Sequence, residues 1–146
     1  FAGWRFMRIG RSLERAVATS AMLCALFDDA APEGTLDIAL EVGDSVMTHR
    51  RRYSLEASVP SVAALLVLDP MNPRSILFQV GEIEEQVSLL PDGGLTGRAA
   101  ELSRATMRLR TLLATALPDE VDPAFLDRVR LELEAISDHL ARIYLA

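Results

Sequence analysis

Gly10-Arg11-Ser12-Leu13-Glu14-Arg15-Ala16 places three charges inside a segment that otherwise has the pattern of a long, largely buried helix. At helical spacing Phe6, Ile9, Leu13, Ala16, Val17, Cys24 and Phe27 form one apolar stripe, and Arg8, Arg11 and Arg15 fall on another side. Like charges one turn apart repel, so the arginines call for acidic partners. Asp37, Glu41, Asp44 and Thr48 recur at the same spacing in a second segment, beside Leu36, Ala39, Val42, Val46 and Tyr53. Two helices with complementary charged stripes are therefore expected to meet, with Arg11 or Arg15 in hydrogen-bond reach of Glu41 or Asp44.

Working outward from these two segments, almost every stretch repeats its apolar residues with helical period, and the class is all-α. The first helix is predicted from about Gly3 to Asp28, ending in Asp28-Asp29-Ala30-Ala31-Pro32-Glu33-Gly34. Thr35 opens a second, read as continuous to about Tyr53, with His49, Arg50, Arg51 and Arg52 suited to its negative C-terminal end. Ser58 or Ser61 caps a short apolar helix near 59–68. Asn72 is read as the N-cap, with Pro73 as first residue, of a fourth helix reaching about Leu90. A fifth runs from about Leu95 to Ala116, and Asp122-Pro123 opens a sixth. Short connections make neighbours antiparallel, which gives a bundle of five to seven helices.

The chain has 146 residues, 50% hydrophobic and 25% charged, enough for one domain with a real core and inconsistent with disorder. No apolar run approaches the roughly 20 residues that span a bilayer. A net charge of −6 argues against nucleic acid or an anionic membrane as a general partner. The single cysteine, Cys24, excludes an internal disulfide and reads as core packing; with no signal peptide pattern, cytoplasmic residence is expected. The start on Phe1 without Met is the mark expected of a piece of a longer protein. His49 and His139 have no second His or Cys at ligand spacing, so neither a metal nor a cofactor is called for.

Three polar groups are candidate sites. Arg8, Arg11, Glu14 and Arg15 suit either a pocket for an anion or an ion-pair network that sets helix register. Asp44 with Arg50, Arg52 and Tyr53 suits a ligand-binding strip or plain compensation of a helix dipole. Asn72-Pro73-Arg74-Ser75 suits an anion cradle at a helix start or ordinary helix punctuation.

Gly3-Trp4-Arg5-Phe6, Gly10-Arg11-x-Leu13-Glu14-Arg15-Ala16, Asp44-Ser45 with Arg50-Arg51-Arg52-Tyr53, and Leu68-Asp69-x-x-Asn72-Pro73-Arg74-Ser75-x-x-x-Gln79 together resemble the later half of the bacterial alpha-E domain family. The likeness covers Phe1 to about Pro91 by motif and the last two helices by pattern alone. It implies an all-helical domain, often fused or adjacent to circularly permuted ATP-grasp ligases, with no activity established for the domain itself. By this resemblance the motif positions are Arg11, Glu14, Arg15, Asp44, Arg50, Arg52, Tyr53, Asn72, Arg74, Ser75 and Gln79. The full family domain has an earlier half with a similar Gly-Arg-x-x-Glu-Arg-Ala segment that this chain lacks, and an aromatic residue where this chain has His49. A surface left open by the missing half is expected to self-associate. Two functions follow. One is a binding or scaffold module for an ATP-grasp peptide or amide ligase. The other is an enzyme or catalytic subunit that holds an anionic substrate with the arginines and uses Glu14, Glu41 or Asp44 as acid or base inside the bundle.

Overall fold

The computed structural model describes residues 2–145. Seven α-helices and one short 3₁₀ turn occur among them, with no strand: α1 (Gly3–Leu26), α2 (Thr35–Val42), α3 (Val46–Arg52), α4 (Val59–Leu66), α5 (Ile76–Ser88), α6 (Ala100–Thr115) and α7 (Pro123–Tyr144). The four long helices make an up-down-up-down bundle. Arg5 donates to Gln86 and Arg8 pairs with Glu82, so α1 runs antiparallel to α5. Phe6 meets Tyr144 edge to face, and Cys24 donates to the Pro123 carbonyl, so α1 also runs antiparallel to α7. The Arg110–Glu84 pair sets α6 against α5.

Helical period explains what lies between them. Ile9, Leu13, Ala16 and Leu23 of α1 are buried, as are Val80, Ile83 and Val87 of α5, Leu102, Leu109 and Leu113 of α6, and Leu126, Val129, Leu133 and Ile136 of α7. At the other end of the bundle the Tyr144 hydroxyl donates to the Pro91 carbonyl. Burial raises its pKa above the ordinary value, opposed by nearby Arg98 and reinforced by Asp92. No described helix is long and apolar enough to cross a membrane.

Between α1 and α5 the chain leaves the bundle to build a lobe of α2, α3 and α4. The segment expected as one helix over 35–53 breaks at Gly43-Asp44-Ser45, where Asp44 has φ +50°. The break brings the end of α2 close to α4: a Cβ on Gly43 would lie 2.7 Å from a methyl of buried Leu66. Ser58 caps α4 in a reciprocal pair with Ser61, and Asp122 caps α7 by accepting from the Phe125 amide.

The start of α5 differs from the expectation. Asn72 is not its N-cap; Ser75 is, accepting from the Phe78 amide while its hydroxyl donates to the Asp69 carbonyl. Asn72 closes the preceding turn, its Oδ1 taking the Arg74 amide and its Nδ2 donating to the Leu65 carbonyl at 2.9 Å and to Ser45 at 3.3 Å. Helix α6 likewise begins at Ala100 rather than Leu95, because the 92–99 segment closes on itself through Ala99 N–H to Asp92 O.

Ser75 is fully buried, so Ser75→Ala removes a cap and strands a carbonyl away from water. Urea titration followed by circular dichroism is expected to show a loss of about 1–3 kcal/mol. Ser58→Ala, at an exposed cap, is expected to lose about 1 kcal/mol or less. Equal losses would mean that burial adds nothing at Ser75.

Candidate functional site

A groove of about 380 Å³ opens between α1, the end of α2 and the start of α5. Arg15, Ala18, Thr19 and Met22 of α1 form one wall, Val42 and Gly43 the next, and Pro73, Arg74 and Gln79 the third. Helical spacing aligns 15, 18, 19 and 22 on α1, and the turn closed by Asn72 carries Pro73 and Arg74 up to them. Gln79 is buried, and its Nε2 donates to the Pro73 carbonyl at 2.6 Å, which ties α5 to that turn. A larger groove, near 600 Å³, is ringed by Asp28, Asp29, Glu33, Asp37 and Glu56 with no cation in its lining. The smaller groove therefore concentrates positive charge in an acidic protein.

The candidate residues divide into three sets, with Tyr53 and Asp44 outside them. Arg15, Arg74 and Gln79 come together in the groove, although they are far apart in sequence. Arg52, Asn72 and Ser75 instead brace the Asp69–Ser75 turn: Arg52 donates to Asp69 at 3.1 Å, and Asp69 also accepts from the Met71 amide. Tyr53 packs on His49 with ring centroids 4.9 Å apart. Buried His49 contacts the Ser61 hydroxyl at 2.8 Å, so its ring joins α3 to α4 where the family resemblance implies an aromatic side chain. Arg11, Glu14 and Arg50 are exposed and make no ion pair among the described residues.

The expected contact of Arg11 or Arg15 with Glu41 or Asp44 is not formed. Asp44 pairs with Arg74 at 3.5 Å, with 80% of its side chain in water, and Arg8 finds its acid on α5. Charges on exposed helix faces gain too little from pairing to dictate which helices meet. The polar cluster accordingly sits on the outside of the bundle rather than within it. Trp4, Met7, Arg8, Arg11, Glu14, Arg15 and Ala18 form an unbroken exposed stripe along α1, leading into the groove. Of the apolar walls, Met22 and Val42 gave no site signal, since each fits an ordinary amphipathic pattern, whereas Pro73 lay within the candidate cradle Asn72-Pro73-Arg74-Ser75.

The fold and this stripe define a helical-bundle domain whose Glu-Arg pair faces outward on its first long helix. A family model described as a predicted alpha-helical domain with a conserved ER motif, Alpha-E, matches residues 1–145, and the chain belongs to that family. Glu14-Arg15 is the chain's single Glu-Arg sequence. Uncharacterised proteins of Mycobacterium tuberculosis and Mycobacterium bovis are 29% identical over 135 residues, covering 90% of this chain and 15% of their own length. No solved structure matches.

Asp44 separates backbone from ion-pair effects. Asp44→Ala is expected to cost about 1 kcal/mol, because alanine resists positive φ, while Asp44→Gly is expected to be neutral or slightly stabilising. Thermal melts of both variants decide; equal losses would assign the effect to the Arg74 contact instead.

Proposed function

We propose that the chain is a helical binding module that presents the outer face of α1 to an ATP-grasp peptide or amide ligase, the partner class implied by the family resemblance. The outward placement of Gly10-Arg11-x-x-Glu14-Arg15 carries the reading. Glycine inside a helix costs roughly 0.5–1 kcal/mol relative to alanine. Gly10 is exposed, and a Cβ built on it meets nothing within 4 Å. Packing within the chain supplies no reason for a glycine there, whereas close approach of a partner helix or strand does. Arg11 and Arg15, exposed and without acidic partners among the described residues, offer planar donor forks to a carboxylate on that partner.

The enzyme reading has less support. Glu14, Glu41 and Asp44 are all exposed, and no nucleophile stands beside them. The Ser61–His49 contact has the spacing of a nucleophile and base, but Ser61 is held in a capping box, accepting from the Ser58 amide and reaching the Ser58 carbonyl. In the mycobacterial relatives the matched segment is a small part of a long chain. A module tethered in that way needs little intrinsic affinity, because the linkage supplies effective concentration.

Co-purification of the full-length protein with the ligase encoded beside or fused to it tests the proposal. Arg11→Glu is expected to abolish capture. Gly10→Ala is expected to stabilise the chain by about 0.5–1 kcal/mol while weakening capture, since it improves the helix and obstructs the face. Wild-type capture by both variants would overturn the reading. With Trp4, Met7 and Val42 exposed, the isolated chain is expected to pair with itself through this face. Light scattering at micromolar concentration checks that, and a strict monomer would count against it.

A further inference from the structure

We propose that the groove between α1, α2 and the start of α5 binds the carboxylate end of an acylated apolar amino acid, as found at the C-terminus of a peptide. Three features of the groove select that chemistry. Arg15 lines it and has no acidic partner among the described residues. Arg74 lines it too, and its contact with Asp44 is long, at 3.5 Å, with both side chains more than half in water. So weak a pair yields readily to a carboxylate that meets both guanidinium groups.

The second feature is Gln79, 5% exposed, whose Nε2 is taken by the Pro73 carbonyl while its Oε1 accepts no hydrogen bond from the described residues. That oxygen is open to solvent rather than sealed in the core, and so is free to accept from a ligand. It fits the N–H next to a terminal carboxylate, which neither phosphate nor a simple fatty acid provides. The third feature is the apolar wall of Ala18, Met22, Val42 and Pro73, which suits an aliphatic side chain. Two cations, one acceptor and an apolar wall match one such residue in polarity, and a volume of about 380 Å³ leaves room for it. The groove shares Arg15 with the α1 face proposed to meet the ligase; the titrations below and Arg74→Gln test the groove alone, while capture by Arg11→Glu tests the ligase contact alone.

Isothermal titration of the chain at pH 7 with N-acetyl-L-leucine tests the assignment. Three comparison probes are N-acetyl-L-leucinamide, which lacks the carboxylate, 4-methylpentanoate, which lacks the N–H, and inorganic phosphate. The acid is expected to bind in the millimolar range or tighter, and each comparison probe at least about tenfold more weakly. Arg15→Gln and Arg74→Gln are each expected to lose about tenfold or more in affinity for the acid. Their melting curves should be unchanged, because both side chains are exposed. If either variant melts early, Arg15→Lys and Arg74→Lys, which keep the charge and lose the fork, carry the same comparison. Equal binding of the acid and its amide, absence of acid binding at about ten millimolar, or phosphate binding as tight as the acid would each overturn the proposal. Equal binding of 4-methylpentanoate would overturn the role given to Gln79.

Discussion

Helix α1 is packed on two sides and free on a third, and the rest of the structure follows from that. Its 24 residues run antiparallel to both α5 and α7, so the stripe from Ile9 to Leu23 is enclosed. A helix in a four-helix bundle touches two neighbours and leaves an outer face to water or to a partner. On α1 that face holds Arg11, Glu14 and Arg15, and the inner face holds Leu13 and Ala16 from the same heptapeptide. A single heptapeptide thus specifies burial and display at once, which is why charges occur within an otherwise apolar pattern.

Periodicity made the bundle legible. The apolar stripes of α1, α5, α6 and α7 are buried as their spacing requires, and the caps Ser58 and Asp122 were readable because a small polar residue stood just before each stripe, with proline following. The lobe was less legible for a local reason. Apolar spacing across 35–53 persists through the break, since Val42 and Val46 keep the sequence separation of one helical turn although the backbone between them is not helical. What breaks the helix is tertiary: Gly43 must pass buried Leu66, and Asn72 reaches from 27 residues away to bond Ser45. The same holds for α5, where Asn72 is a good cap in isolation but is drawn off by the Leu65 carbonyl, leaving the role to Ser75.

The arginines show what spacing does not encode. Helical counting placed Arg8, Arg11 and Arg15 on one side correctly, yet only the packing order of helices decides which acid each meets. Arg8 reaches Glu82 because α5, not α2, lies alongside the first half of α1. Arg52, read as a ligand contact, holds Asp69 instead, and there the geometry rewards pairing: Asp69 is buried and accepts a backbone amide as well. An ion pair with one buried partner constrains structure far more than the open Asp44–Arg74 contact, whose two ends are already well solvated.

The groove joins these strands of argument. Its α1 wall is fixed by the bundle, but its opposite wall hangs on the Asp69–Ser75 turn, which Arg52, Asn72 and Ser75 hold by side-chain bonds to backbone or carboxylate. Polar residues that looked like ligand contacts therefore position Pro73, Arg74 and Gln79, and those three in turn face Arg15. A site assembled between a bundle helix and a braced turn brings both arginines to one groove. Two like charges held open toward one cavity repel. In the proposal made for the groove, a carboxylate between them would relieve that repulsion and an apolar stem on the ligand would exclude water from Met22 and Val42; the braced turn supplies the wall on which that proposal depends.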